Sequence, residues 1–235
     1  MNTVPSQSPS TTNERYFLNP ARAKYAVTEL LRGKIESLPS GARILELGCG
    51  DLQVLQSIRK IRPDLELHGV DSGEIVISDQ TNAIHFTRSC IEEYRAEATF
   101  DLVLGIDVLE HMQRPDELVR CANSALIAGG NIYLSAPNVT KMLLFGDANF
   151  YSDYTHVRPF CEKSMRRLLE DFGFQILEAR ISGARRGAVL RWFYYLARGV
   201  ITADADYLNA AITCLGGNGV EVLAAKAGND GATGY

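Results

Sequence analysis

The chain has 235 residues, of which 46% are hydrophobic and 22% are charged, and its 24 Lys and Arg against 28 Asp and Glu give a formal net charge of -4. This composition is close to the globular average, which excludes disordered, collagen-like and coiled-coil proteins, and its mild acidity argues against general nucleic-acid binding. We predict one domain over residues 15–226, with flexible tails at 1–14 and 227–235.

The cysteines and the hydrophobic segments bear on location. The five cysteines are widely spaced and form no C-x-x-C pair, so we expect reduced thiols rather than a disulfide framework or a zinc ribbon. The polar N-terminal segment lacks the apolar core of a signal peptide, and no apolar stretch reaches the roughly 18 residues of a membrane span. These features predict a cytoplasmic protein with no membrane span.

Apolar runs and helical patterns alternate along the chain. Helices are predicted at residues 20–37, 52–61, 115–127 and 161–172, and strands at 42–47, 65–70, 83–87, 100–106, 131–135, 174–181 and 220–225. Gly129 and Gly130 are predicted to stop the third helix and turn the chain into the next strand. The alternation predicts an α/β fold with a parallel sheet between helical layers, and the two late strands predict an antiparallel edge.

The sharpest local signal is a glycine turn after the first strand, in the segment ILELGCGD at 44–51. Gly48 and Gly50 allow a tight turn and a close approach of a ligand to the backbone. A dinucleotide-binding loop would usually have a third glycine where Gln53 stands. The carboxylates of Glu46 and Asp51 beside the turn suit a ligand with ammonium and sulfonium charges better than a pyrophosphate.

A second acidic landmark, Asp71, ends the second predicted strand 21 residues after Gly50. This is the distance at which an acidic residue binds a ribose diol in nucleotide-binding folds. The turn and the distant carboxylate together predict an adenosine-containing cofactor. The alternative is an ordinary strand-to-helix turn with a surface aspartate.

Several motifs together make the chain resemble class I S-adenosylmethionine-dependent methyltransferases, in the ubiquinone-biosynthesis-like or methionine-biosynthesis-like branch. The motifs are ELGCG at 46–50, GVD at 69–71, FDLVLGIDVLEHM at 100–112, AGG at 128–130, THVRPF at 155–160 and LLEDFGF at 168–174. The resemblance implies a Rossmann-like, doubly wound sheet of seven strands, mostly parallel with an antiparallel last strand. It also implies S-adenosyl-L-methionine as the cofactor.

The resemblance assigns cofactor-binding roles to three parts of the chain. The glycine turn and Glu46 would hold the methionyl portion, Asp71 the ribose, and the main chain near Cys90 the adenine. The full implied set is Glu46, Gly48, Cys49, Gly50, Asp71, Ser72, Cys90, Ile91, Asp107, Val108 and Leu109. The chain departs from the family pattern in having no acidic residue near Cys90 before Glu92, and in a short segment between the second and third strands.

Two histidines are the candidate catalytic bases for methyl transfer to a hydroxyl group. His111 follows the fourth strand, and His156 lies in the long loop after the fifth. In the alternative reading, each holds local structure. Asp107, Glu110 and the two histidines also resemble the metal cluster of small-RNA 2'-O-methyltransferases, but metal-free relatives share the string, and we predict no metal. His68 and His85 lie inside predicted strands and are expected to be structural.

Two later segments are candidates for acceptor binding. The loop at 137–160 carries Phe145, Phe150, Tyr151 and Tyr154, which would form a lid, an acceptor pocket or a small satellite core. Arg185, Arg186, Arg191 and Arg198 flank an aromatic stretch. They would bind an anionic acceptor, give peripheral membrane contact through 185–201, or belong to a helix that covers the sheet.

We therefore predict a methyltransferase that acts on a small-molecule acceptor, with a glycan or sugar-nucleotide hydroxyl as the first candidate from the subgroup resemblance. The alternatives are an NAD-dependent oxidoreductase and a catalytically inactive cofactor-binding partner subunit. A homodimer is a further hypothesis. Fold alone does not decide the acceptor.

Overall fold

A computed structural model describes residues 27–75, 83–142, 150–182, 188–204, 207–208, 210–211 and 219–227. Its strands are β1 (Arg43–Leu47), β2 (Glu66–Asp71), β3 (Ile84–Arg88), β4 (Phe100–Ile106), β5 (Leu126–Pro137), β6 (Phe174–Ser182) and β7 (Gly219–Lys226). Its helices are α1 (Glu29–Ser37), α2 (Gln53–Ile61), α3 (Pro115–Ala125), α4 (Val139–Met142), α5 (Glu162–Asp171) and α6 (Ala188–Thr202). Short 3-10 turns lie at Leu109–His111 and Phe150–Ser152.

The seven strands form one sheet in the order β3-β2-β1-β4-β5-β7-β6. β1 to β5 pair in parallel, whereas β7 is antiparallel to both β5 and β6. The predicted α/β fold with an antiparallel last strand is confirmed. The two late strands form the predicted antiparallel edge, in which β7 pairs with β5 and β6 is the outermost strand.

Both faces of the sheet are covered by apolar helix faces. Leu31 and Ile35 of α1, with Leu55 of α2, belong to a core on one face together with Ile44 of β1. The opposite core contains leucines and small residues of α3 and α5, packed on the other face of the central strands. Alternation along β1 produces this division, because successive side chains of a strand point to opposite faces.

The predicted turn at Gly129 and Gly130 is wrong, because both glycines lie within β5. α3 ends at Ala125, and the buried Leu126 already pairs with Phe100. The ladder then shifts, so that Asn131 is the partner of Leu102. Gly129 has a φ of 74° and supplies the left-handed residue that this bulge requires.

Other element bounds differ from the predictions in smaller ways. The first helix begins at Glu29, because the Thr28 hydroxyl accepts a hydrogen bond from the Leu31 amide and caps it. Pro20, the predicted start, lies outside the described residues, as do both predicted tails except for Ala227. The crossover from β3 to β4 contains turns and no helix. Within the described part of the chain, every helix is too short or too polar to cross a membrane.

Candidate functional site

The glycine turn lies where β1 and β2 end side by side. The Val70 carbonyl accepts hydrogen bonds from the amides of Gly48 and Cys49, at 2.8 and 3.1 Å. One oxygen of the Asp71 carboxylate accepts from the Gly50 amide at 2.8 Å, and its other oxygen accepts from the Gly73 amide at 2.8 Å. Asp71, the residue predicted to bind the ribose, therefore contacts the predicted glycine turn directly and holds its conformation.

Gly48 is required at its position for two reasons. Its φ of 76° lies in the left-handed region. A Cβ atom there would also lie 2.6 Å from Cγ2 of Val108, which approaches from the segment after β4. Asp107, the preceding residue, has a φ of 49° and is also left-handed. Such backbone is uncommon for non-glycine residues and clusters at functional sites.

Glu46 is the most unusual ionisable group of the turn. Its side chain is 2% exposed, and its Oε2 atom has no hydrogen-bond partner among the described residues. Burial raises the pKa of Glu46 well above its ordinary value, and the nearby Asp71 and Asp51 raise it further. A buried acceptor of this kind is complementary to a cationic donor such as an ammonium group.

Some predicted cofactor residues turn their side chains into the core. Cys49 lies in the core that α1 and α2 cover, and burial raises the pKa of its thiol. Leu109 and Ile91 lie in the opposite core, so only their main chains remain for ligand contact. Cys90 and Ser72 are exposed near the ends of β3 and β2.

The structure brings the two predicted bases, His111 and His156, together. They are far apart in the sequence, since His111 lies 44 residues before Thr155, the neighbour of His156. The ring centroids of His111 and His156 are 4.8 Å apart. The Thr155 hydroxyl donates to Asp153 at 2.6 Å, so its oxygen accepts from Nδ1 of His111 at 2.9 Å. His111 therefore carries its proton on Nδ1 and leaves Nε2 as the basic atom.

His156 is held more firmly than His111. Its Nδ1 donates to the carbonyl of Phe150 at 2.7 Å, and its Nε2 lies 3.8 Å from an oxygen of Asp153. Burial lowers the pKa of His111, and the neighbouring His156 lowers it further. His111 is thus neutral at physiological pH, as a general base must be.

Glu110, His111 and His156 also offer three ligand atoms that lie within 4.8 Å of one another. Carboxylate and imidazole groups are suitable ligands for a divalent ion. The geometry is therefore compatible both with a base and with the metal-binding alternative, and the absence of a metal stays a prediction.

Sequence reasoning missed Thr155, Asp153 and Asn138. The first two orient His111 and lie in the THVRPF neighbourhood, where an Asp and a Thr two residues apart form a local turn. Asn138 directly follows β5, is 1% exposed, and has an Nδ2 atom without a hydrogen-bond partner among the described residues. Asn138 could have been predicted as a site residue because it follows the carboxyl end of a parallel strand, where open α/β sheets bind ligands.

The two acceptor-binding candidates are only partly described. Phe150 is fully buried against His156, whereas Tyr151 and Tyr154 are exposed. Phe145, Arg185 and Arg186 lie outside the described residues. Arg198 lies on α6 with its guanidinium over the ring of Tyr207, 5.2 Å from the centroid.

Comparisons with known proteins agree with this geometry. A family described as methyltransferase domain matches residues 18–179. The ubiquinone biosynthesis O-methyltransferase of Xanthomonas axonopodis pv. citri is 29% identical over 140 residues, 53% of this chain and 52% of that protein. That of Xanthomonas campestris pv. campestris (strain B100) is 28% identical over 132 residues, 53% and 52% of the two chains. The chain thus spans about half the length of these curated relatives.

Solved structures share the fold at low sequence identity. A SAM-dependent methyltransferase from Archaeoglobus fulgidus superposes with a TM-score of 0.59 and 20% identity, over 90% of this chain and 99% of the other. A methyltransferase complexed with the Trm112 activator, from Haloferax volcanii, gives a TM-score of 0.64 at 12% identity, over 90% and 95%. Because the family match extends over more than half of the chain, the chain belongs to the methyltransferase domain family, and the predicted resemblance to methyltransferases is confirmed.

Proposed function

We propose that the chain transfers a methyl group from S-adenosylmethionine to a hydroxyl oxygen of a small acceptor, with His111 as the general base. The observation that carries the proposal is the buried carboxylate of Glu46 beside the Gly48 turn. The residues fit the cofactor, because this carboxylate has an unpaired oxygen and the turn has no Cβ atom in the way.

The cofactor, when bound, supplies an electrophilic methyl group. Glu46 would pair with its ammonium group, and the main chain of Gly48 and Gly50 would lie along its methionyl portion. Asp71 would accept from the ribose hydroxyls while it continues to hold the Gly50 amide. Displacement at a methyl group depends mainly on proximity and orientation, so these residues act by positioning.

His111 would accept the proton that leaves the acceptor hydroxyl. A hydroxyl group has a high pKa and gains from a base, and His111 offers Nε2 because Thr155 holds its Nδ1–H. The relatives named above are O-methyltransferases, which supports an oxygen acceptor. The glycan or sugar-nucleotide hydroxyl stays a prediction within this class.

The test is transfer of labelled methyl from S-adenosylmethionine to a panel of phenols, sugars, sugar nucleotides and amines. We expect a hydroxyl compound to be methylated, and His111→Gln to lower kcat by about 10²–10⁴ with unchanged cofactor affinity. The wild-type kcat/KM should rise with pH through a pKa below 6.5, the ordinary value of histidine, and then level off.

Three outcomes would contradict parts of this proposal. Full turnover by His111→Gln excludes its role as base, and methylation of amines alone excludes a hydroxyl acceptor. Cofactor binding without turnover of any compound favours the inactive partner subunit. We expect treatment with a chelator to leave turnover unchanged, and a loss of turnover that Mg²⁺ or Zn²⁺ restores would show that turnover needs a metal ion.

A further inference from the structure

A second cluster of imidazole and carboxylate groups lies on β2 and β3, away from the glycine turn. Glu66 begins β2 and His68 follows two residues later, whereas Asp71 ends the strand at the cofactor edge. His85 of β3 is the direct register partner of His68. Residues two apart on a strand share a face, so all three side chains lie on one face of the sheet.

The three side chains are already close enough to share a ligand. Their candidate ligand atoms lie within 4.8 Å of one another. Nε2 of His68 is 2.7 Å from Oε1 of Glu66, and the rings of His68 and His85 stack with centroids 4.6 Å apart. Both imidazole rings therefore lie close to one carboxylate, that of Glu66.

The surroundings combine partial burial with access from solvent. The edge of Phe100 packs against His68 at 5.1 Å between centroids, while His85 is exposed. The β3–β4 crossover, which passes this face, contains no helix to cover it.

One cation competes for the cluster. Nε of Arg43 lies 3.1 Å from Oε1 of Glu66, and its guanidinium also packs over Phe100, 5.0 Å from the centroid. A divalent ion would share or replace this contact at Glu66. Because Arg43 is half-exposed and retains Phe100 as a partner, it does not block the site, but it will weaken the affinity.

We propose that Glu66, His68 and His85 bind a zinc ion. Two imidazoles and one carboxylate form a ligand set that zinc prefers, with the fourth position left to solvent. Ligand atoms of a tetrahedral zinc site lie about 3.3 Å apart. Glu66 and His68, which are hydrogen-bonded at 2.7 Å, must therefore move slightly apart, whereas the ligand atom of His85 already lies within 4.8 Å of both. The exposed ring of His85 must rotate out of the stack so that its lone pair faces the ion.

The bound ion would join the edge strand β3 to β2 through side chains, beside the main-chain ladder. An ion that binds only the folded protein stabilises it by mass action. The site would thus be structural and would lie apart from the proposed methyl-transfer site. The zinc proposal would therefore stand even if the proposed methyl transfer were disproved.

The test is calorimetric titration of chelator-treated protein with Zn²⁺, combined with thermal unfolding. His111→Ala is used as the background, because it removes a ligand from the other cluster. We expect about one equivalent of Zn²⁺ and a raised Tm in this background. Adding His85→Ala should weaken binding at least about tenfold and abolish the rise in Tm.

Thr87→Ala, an exposed residue of the same strand, is the matched control and should leave zinc affinity unchanged. His85 is exposed, so its replacement is not expected to unfold the chain, and circular dichroism checks this. The proposal is overturned if the His111→Ala protein binds no Zn²⁺, or if adding His85→Ala leaves its affinity unchanged.

Discussion

Glu46 is unfavourably placed in the cofactor-free protein. It is fully buried in a turn with other carboxylates nearby, and one of its oxygens has no hydrogen-bond partner among the described residues. A buried ionised group without a partner is costly, and the cost falls when a cation binds. The residue is thus poorly suited to stability and well suited to an ammonium-bearing ligand.

Glu46→Gln should therefore stabilise the cofactor-free protein while it weakens cofactor binding. The pKa of Glu46 is raised above its unfolded value near 4.5, so the folded state holds this proton more tightly and loses stability as pH rises above that value. At pH 8 the variant should gain about 1–3 kcal/mol in free energy of unfolding, measured with urea. The gain should disappear near pH 4, and S-adenosylmethionine affinity should fall at least about tenfold.

A gain that did not depend on pH would show that the Glu46 charge is not the cause. Unchanged cofactor affinity would remove the residue from the binding site.

Gly48→Ala and Gly129→Ala separate backbone strain from steric contact. Both glycines have a φ near 75°, but a Cβ at Gly129 meets nothing within 4 Å, whereas one at Gly48 meets Val108 at 2.6 Å. Gly129→Ala should lower the free energy of unfolding, measured with urea, only by the strain of a left-handed alanine, about 1–2 kcal/mol, and should leave cofactor affinity unchanged. Gly48→Ala should cost more and should also impair cofactor binding. Equal effects of the two variants would argue against a special role for Gly48.

At the scale of secondary-structure elements, Glu221 joins four of them. The residue is 1% exposed on β7, and its carboxylate accepts from Tyr133 of β5 at 2.6 Å and from Nε of Arg180 of β6 at 2.8 Å. It also accepts from the hydroxyl of Thr28, which caps α1, at 2.5 Å. The antiparallel strand is thus fastened to both neighbours and to the first helix by one side chain.

Glu221→Ala should destabilise the protein by about 3–5 kcal/mol, because it leaves Arg180 and the two hydroxyl groups without their common acceptor. Urea unfolding measures this loss. Glu162→Ala, which removes an exposed ion pair with Arg166 at 3.7 Å, is the matched control and should cost less than about 0.5 kcal/mol. Similar losses in the two variants would show that the network does not fasten the sheet.

Most elements could be predicted from periodicity, but two features of the sheet could not. β4 was predicted with both bounds correct, because a continuous apolar run between polar residues marks a buried central strand. The start of β5 was missed, because Gly129 and Gly130 signal a turn by composition whereas pairing with β4 makes them a bulge. The insertion of β7 between β5 and β6 depends on long-range pairing, which local patterns do not record.

The site was predictable where it follows strand ends and unpredictable where it depends on distant contacts. Gly48 and Val108 follow β1 and β4, Asp71 ends β2, and the carboxyl ends of parallel strands lie on the same side of the sheet. The pairing of His111 with Thr155 joins segments 44 residues apart and depends on the loop conformation. The side chains of Cys49 and Leu109 are buried in the cores on opposite faces of the sheet. This depends on the direction of each side chain, which the sequence motif does not specify.

At the scale of the whole molecule, the central strands place all the proposed chemistry at one edge of the sheet. Glu46, Asp71 and His111 lie at or just after the carboxyl ends of β1, β2 and β4, where open α/β sheets place their ligands. The proposed zinc site lies nearer the opposite ends of β2 and β3. The family match covers β1 to β5 and part of β6.

The most direct test of the proposed cofactor site is calorimetric titration of the full chain with S-adenosylmethionine and, separately, with NAD. We expect saturable binding of one S-adenosylmethionine per chain, weakened by Glu46→Gln and by Gly48→Ala but not by Gly129→Ala, and no binding of NAD. Binding of NAD without S-adenosylmethionine, or S-adenosylmethionine binding that neither Glu46→Gln nor Gly48→Ala changes, would contradict it.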